Sequence, residues 1–246
     1  MALATLLTTP WTASPETALW PRIDRRVRSR PPQRKIEFWE VERDGNRSRV
    51  YQFTKRLLDI AGACAGVLLL SPIMLVTFLV LLVATRGKPL FFQTRIGECG
   101  RKFTLFKFRT MVVHAERVQK QVVNEQDGPV FKNRRDPRIT RIGAILRKFS
   151  IDEMPQLFNV LIGDMSLVGP RPPVEPEARQ YENWQLRRLA VKPGLTCLWQ
   201  VSGRCEIGFT QWVRMDLWYI DRQSLLLDLV LLAKTPASVL SGRGAY

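Results

Sequence analysis

Hydrophobic and polar positions divide the chain into three stretches. Residues 1 to about 48 show no sustained hydrophobic period and are rich in Pro, Thr and Arg, so residues 1–50 are predicted to be a basic, disordered extension. From Ile60 to Thr85 no residue is charged. A straight helix over this run would be about 39 Å long, more than the roughly 30 Å of a bilayer's hydrocarbon core. The run is too long and too uniformly apolar for a two-sided soluble helix.

Two features argue against a simple span. Pro72 sits near the middle, where it removes a helix hydrogen bond and crowds the preceding turn. Basic residues flank both ends, Lys55 and Arg56 before the run and Arg86 and Lys88 after it; if both clusters stay cytoplasmic, the segment enters and leaves by the same face. The pattern predicts a re-entrant membrane helix over 51–86 that bends at Ser71-Pro72, with Ser71 satisfying backbone groups the bend frees. After Gly87 the pattern becomes that of a soluble α+β domain, 87–246. Phe209 to Tyr219, with Trp212, Trp218 and Tyr219, and Leu225 to Leu232, around Asp228, are amphipathic. They suit the headgroup level of a membrane; packing on the core is the competing reading. The expected fold is α+β, mostly helical: a small cytosolic domain with an N-terminal helix-break-helix membrane hairpin and interfacial amphipathic helices.

Charge extends this picture. In 246 residues, 38 Lys and Arg outnumber 22 Asp and Glu, a formal charge of +16, so an anionic partner is required: nucleic acid, acidic lipid or a phosphorylated ligand. One cluster, Arg25 to Arg30, lies in the extension. A single histidine, His114, argues against Ser-His or Cys-His catalysis and a His-rich metal site. Cys64, Cys99, Cys197 and Cys205 include no C-x-x-C pair and read as reduced. The N-terminus lacks the basic region and long apolar run of a cleaved secretory signal. The chemistry falls to carboxylates, Lys, Arg or a bound cation.

Asp152 and Glu153 are adjacent carboxylates just before an expected helix, Gln156 to Leu161. Ser150 and Glu153 fit a capping box, which Pro155 weakens. Alternatively, one carboxylate attacks phosphorus while its neighbour helps hold a divalent cation, since a carboxylate approaches a phosphate only when positive charge neutralises both. Arg147, five residues upstream, and Arg171, between Pro170 and Pro172, are suited to phosphate.

The ordered series Lys55-Arg56-x-x-Asp59, Ser71-Pro72, Phe91-x-Gln93-x-Arg95-x-Gly97, Lys107-Phe108-Arg109-Thr110-Met111, Asp136-Pro137-Arg138-x-Thr140-x-x-Gly143, Ser150-x-Asp152-Glu153-x-Pro155-Gln156, Gly163-Asp164-Met165-Ser166-x-Val168-Gly169-Pro170-Arg171-Pro172 and Lys192-Pro193-Gly194-Leu195-Thr196 resembles the bacterial sugar transferase family, the monotopic polyprenyl-phosphate sugar-1-phosphate transferases. The match runs from about Thr54 to the C-terminus, and the multi-span N-terminal domain of larger members is not expected here. Met154 replaces a common Leu and Cys197 a common Gly.

The resemblance implies ping-pong transfer from a nucleotide-diphosphate sugar, by analogy a UDP-sugar, to undecaprenyl or another polyprenyl phosphate, releasing UMP. It also implies a monotopic enzyme at the inner membrane with its catalytic domain on the cytoplasmic face, acting in exopolysaccharide or glycoconjugate synthesis. Asp152 would be the nucleophile, Glu153 would support Mg²⁺ with Asp152, and Arg147, Arg171, Lys107 and Arg109 would contact phosphate. The competing functions are a basic nucleic-acid-binding protein, for which no RNP or C₂H₂ signature is present, and a non-catalytic membrane scaffold, against which the retained dyad argues. Membrane lipid is an expected partner, nucleic acid is not, and the sequence assigns no oligomeric state.

Overall fold

The computed structural model describes residues 34–242 except 46, 119–121, 126, 132 and 203–206. The Arg25 to Arg30 cluster and Cys205 lie outside the described residues. Helix α1 (Arg49–Ala84) starts at Ser48, whose hydroxyl accepts the Tyr51 N–H, and runs through Pro72. Pro72 removes the donor that would have bonded the Leu68 carbonyl; the Ser71 hydroxyl donates to that oxygen at 2.9 Å. With this replacement the helix stays continuous, so the expected break into two helices does not occur.

Two groups of contacts dock α1. Near its start Asp59 is buried and accepts from Ser166 Oγ and the Leu167 N–H, each at 2.9 Å. Lys55 donates to the Val168 carbonyl at 3.2 Å and pairs with Asp228 at 2.8 Å. Arg56 donates to the Val160 and Leu161 carbonyls at 2.6 and 2.8 Å. Residues that read as membrane-flanking charges therefore also fasten the helix to the domain. Towards its end Thr77 and Leu81 are buried, Leu81 packing with Phe108 and Leu146. Leu68, Leu69, Leu75, Val76 and Val83 are exposed, an apolar surface that a lipid-facing helix requires.

Strands β1 (Leu90–Ile96) and β2 (Lys102–Phe108) form an antiparallel hairpin with Leu90 opposite Phe108 and Ile96 opposite Lys102. Next come α2 (Ala115–Val118), α3 (Arg141–Lys148), a 3-10 turn at Ile151–Glu153, and α4 (Gln156–Ile162). Asn159 of α4, fully buried, donates to the Thr104 carbonyl at 2.7 Å and accepts the Phe106 N–H at 3.0 Å, so one amide binds the edge of β2 to α4. β3 (Ser166–Val168) follows, then α5 (Glu175–Ala178), α6 (Asn183–Leu186), β4 (Gly194–Thr196) and α7 (Leu198–Ser202). β3 and β4 pair in parallel, Ser166 with Gly194 and Val168 with Thr196. A Cβ on Gly194 would fall 2.0 Å from the Gly169 nitrogen, a backbone approach that only glycine permits.

The chain ends in α8 (Phe209–Arg222) and α9 (Leu225–Ser241). The membrane-surface expectation for Phe209 to Tyr219 is corrected here: Trp212, Val213, Tyr219 and Ile220 are core residues. The Tyr219 hydroxyl donates to Asp228 Oδ1 at 2.6 Å, so its polar edge finds an internal partner instead of a headgroup. In α9, Leu227 and Leu231 face the core while Leu226, Leu229 and Leu240 are exposed, so this helix retains an apolar outer face. Part of the segment expected to be disordered is docked on the domain. Phe38 is buried in the core, the Ile36 N–H donates to Asn183 Oδ1 at 2.9 Å, and the Asp44 N–H donates to the Ala190 carbonyl at 2.9 Å. One aromatic anchor docks a segment whose sequence has no period to reveal it.

Candidate active site

The site is built where β2, α3, the 3-10 turn and the loop after β3 meet. Ser150 adopts a left-handed conformation (φ +52°) between α3 and the turn. It makes no side-chain capping bond, so the capping-box reading of Ser150 and Glu153 fails. Pro155 begins α4, where its missing donor costs little. This reversal presents Asp152 and Glu153 to a cleft of about 830 Å³, within the usual range of small-molecule sites.

Asp152 is 6% exposed. Burial raises its carboxyl above the usual range, Lys107 opposes that shift, and Glu153 adds to it. Lys107, near the end of β2, pairs with Glu153 Oε1 at 2.8 Å. Arg147, on the last turn of α3, donates from Nε to Thr110 Oγ1 at 3.0 Å. Thr110 is itself fixed, since its carbonyl accepts the Thr140 N–H at 3.0 Å and a Cβ on Gly143 would come within 2.0 Å of that oxygen. Arg171 sits in a loop held on both sides: the Gly194 N–H donates to the Pro170 carbonyl and the Ile96 N–H to the Pro173 carbonyl, each at 2.9 Å. Its guanidinium pairs with Glu177 at 3.4 Å and lies 5.6 Å from the Trp212 ring centroid.

Lys107, Arg147, Arg171, Asp152 and Glu153 all line one cleft. Arg109 lines it too, but its Nε and Nη2 donate to the Lys88 and Leu90 carbonyls at 2.8 and 2.9 Å. Those bonds tie the end of the hairpin to the chain leaving α1. Ser71 and Pro72 take no part in the cleft.

Further residues of the ordered motif series also shape the site. Arg95 is buried, donates to the Pro172 carbonyl at 2.9 Å and to Gln93 Oε1, and has no direct carboxylate partner among the described residues. Burial and then Arg171 push it down to about 9. Arg138 makes a chelating contact with Asp136 beside the Phe131 ring. Thr110 and Glu177 orient Arg147 and Arg171. The spacing of Gln93-x-Arg95 and Asp136-Pro137-Arg138 was the available signal.

Among the described residues no group of three or more His, Cys, Asp or Glu side chains converges as a metal site. Asp152 and Glu153 nevertheless supply hard oxygen donors to a cleft rich in cations. Mg²⁺ commonly takes one or two carboxylates and completes its shell with water and substrate phosphate, so this donor set fits Mg²⁺ arriving with a diphosphate.

These features define an α+β protein with one long apolar helix and a buried carboxylate in a cleft lined by Lys107, Arg147 and Arg171. A model described as bacterial sugar transferase matches residues 50–242, and the chain belongs to that family. It is 47% identical over 195 residues to the galactosyl transferase CpsE of Streptococcus agalactiae serotype III, covering 78% of this chain and 43% of that protein. It is 41% identical over 207 residues to the undecaprenyl-phosphate galactose phosphotransferase of Salmonella typhimurium, covering 80% and 43%. To the exopolysaccharide production protein ExoY of Rhizobium meliloti it is 37% identical over 215 residues, covering 85% and 95%. The chain spans less than half the length of the first two relatives.

Proposed function

We propose that this protein transfers a sugar-1-phosphate from a nucleotide-diphosphate sugar, of the UDP class, to a polyprenyl phosphate such as undecaprenyl phosphate. The observation that carries the reading is the placement of Asp152, nearly buried, in a cleft it shares with Lys107, Arg147 and Arg171. A carboxylate oxygen of Asp152 attacks the sugar-bearing phosphorus; the bond from that phosphorus to the oxygen bridging the two phosphates breaks, and UMP leaves with the electron pair. An oxygen of the polyprenyl phosphate then attacks the same phosphorus, and breaking the aspartyl ester regenerates the carboxylate. Splitting the reaction spares the enzyme from holding two bulky anions at once.

Lys107 balances Glu153 and disfavours protonation of Asp152, keeping the nucleophile available. Arg147 and Arg171, oriented by Thr110 and Glu177, hold equatorial phosphate oxygens in place. Mg²⁺ bound by Asp152 and Glu153 would supply further neutralisation of the diphosphate.

The re-entrant path and a location on the cytoplasmic face of the inner membrane belong to the same proposal. Ala63 and Leu81 are about 27 Å apart along a straight helix, yet both are buried against this domain. A perpendicular crossing would carry Leu81 away from Phe108 and Leu146. A path that bends within the continuous α1 and leaves by the face it entered keeps both contacts and holds the cleft at headgroup height, where an isoprenoid lipid presents its phosphate.

Incubation with UDP-sugar and no acceptor tests the chemistry. A stoichiometric burst of UMP and a phospho-sugar mass increment on the peptide containing Asp152 are expected, and both should vanish in Asp152→Asn. Full activity in that variant would eliminate Asp152 as nucleophile.

A further inference from the structure

A second cavity, of about 180 Å³, shares no lining residue with the catalytic cleft and has no part in the reaction described above. Five basic side chains line it, Arg43, Arg47, Lys55, Arg56 and Lys192, against three acids, Asp44, Asp59 and Glu98. These acids are already engaged: Asp59 accepts from Ser166 and Leu167, Glu98 pairs with Arg43 at 2.8 Å, and Asp44 is not free.

The cations are less completely balanced. Lys55 is matched by Asp228. Arg56 and Arg47 donate to carbonyls, of Val160, Leu161 and Ile220, which satisfy hydrogen bonds without cancelling charge. Lys192 has no hydrogen-bond or ion-pair partner among the described residues, and burial and then Arg56 hold its ammonium below the usual lysine range. Arg56 and Lys192 converge: a Cβ built on Gly163 would lie 3.3 Å from Arg56 Nη2 and 3.8 Å from Lys192 Nζ. Arg47 Nε and Tyr51 Oη, also on the wall, are shielded from water and have no hydrogen-bond partner among the described residues.

We infer that this cavity binds the phosphoryl group of an anionic phospholipid. Convergent guanidinium and ammonium donors with unbalanced positive charge favour a phosphoryl oxygen. The volume lies below the roughly 300 Å³ at which drug-sized sites begin, so it suits a headgroup better than a nucleotide sugar. The polyprenyl phosphate must reach Asp152, which does not line this cavity. Free phosphate shares the chemistry, but the surroundings favour lipid. The cavity lies on the opening turns of α1, where Phe53 and Leu57 are exposed and the uncharged run begins at Ile60. Acyl chains can lie against that apolar surface while the basic cavity takes the headgroup. A bound phospholipid would set the height of α1 in the bilayer.

The test uses the full chain purified in a neutral detergent and titrated separately with phosphatidylglycerol, phosphatidylcholine and inorganic phosphate, bound ligand being counted by native mass spectrometry. Phosphatidylglycerol is expected to be retained in preference to both others. Lys192→Gln should weaken it about tenfold, the loss typical of one charged hydrogen bond, and Lys192→Arg should restore it. Thermal unfolding in the same detergent identifies a variant that has lost its fold. In that event Arg43→Gln, at an exposed side chain, decides, and it should also weaken retention. Parental retention in the folded glutamine variants would overturn the site, and inorganic phosphate binding as well as phosphatidylglycerol would overturn the lipid assignment. Binding is read directly, so the result does not depend on the proposed reaction.

Discussion

Asp59 offers a quantitative test of how the long apolar helix α1 is held to the α+β domain. Its carboxylate is 3% exposed and accepts from Ser166 Oγ and the Leu167 N–H, each at 2.9 Å. Asp59→Ala removes Oδ1, the one oxygen that accepts both bonds, and leaves a buried hydroxyl and a buried N–H. Hydrogen bonds to a charged group contribute about 1.5–3 kcal/mol each, and Ser166 can recover part of its loss locally, so the expected destabilisation is about 3–5 kcal/mol. For a chain of this size that corresponds to a fall in Tm of about 10 °C. Asp59→Asn keeps one carbonyl acceptor and should cost about 1–2 kcal/mol. Tryptophan fluorescence during thermal unfolding in detergent provides the measurement, and limited proteolysis after Ala84 reports whether α1 has loosened first. If Asp59→Ala unfolds within about 1 °C of the parent, or if Asn is no better than Ala, the carboxylate does not anchor the helix.

Other consequences follow from neighbouring contacts. Thr110→Val removes the acceptor that orients Arg147 while preserving shape; kcat/KM should fall about tenfold, and an unchanged value would free Arg147 from that role. Ser71 and Pro72 should be coupled: Ser71→Ala is expected to cost about 1 kcal/mol with Pro72 present and almost nothing in Pro72→Ala, where Leu68 regains a backbone donor; equal effects in both backgrounds would separate the two residues. Burial alone would raise the Asp136 carboxyl, but hydrogen bonds and charge from Arg138 outweigh it and hold it below 3.8. Its stabilisation is therefore intact above that pH and is lost as pH falls through the lower folded-state value. Asp136→Asn should flatten that part of a plot of Tm against pH, and an unaltered acid limb would contradict the assignment.

Much of the site could be read along the chain because its chemistry is local. Asp152 and Glu153 are adjacent, Arg147 lies less than two helical turns upstream, and prolines bracket Arg171, so residue type and spacing already point to phosphate. The long apolar helix is equally plain, since its uncharged run exceeds the thickness of a bilayer core. The role of Ser71 follows from the donor that Pro72 lacks.

Other features depended on which surfaces meet. The aromatic stripe from Phe209 to Tyr219 suits a headgroup layer or a protein core, and it became core because Asp228 and the Val168 carbonyl supply the partners that Tyr219 needs. Lys55 and Arg56 look like charges left outside a membrane, yet they dock α1 onto α9, β3 and α4. Lys107 and Glu153 are 46 residues apart, and the amide bridge from Asn159 to β2 helps hold the strand beside the turn. Arg109 has the composition of a phosphate ligand, but two backbone carbonyls engage it. Sequence by itself determined the membrane helix, the carboxylates and the cations suited to phosphate; tertiary structure decided which cations face the cleft and which fasten the fold, because a charged side chain is committed by the partners that packing places within hydrogen-bond reach.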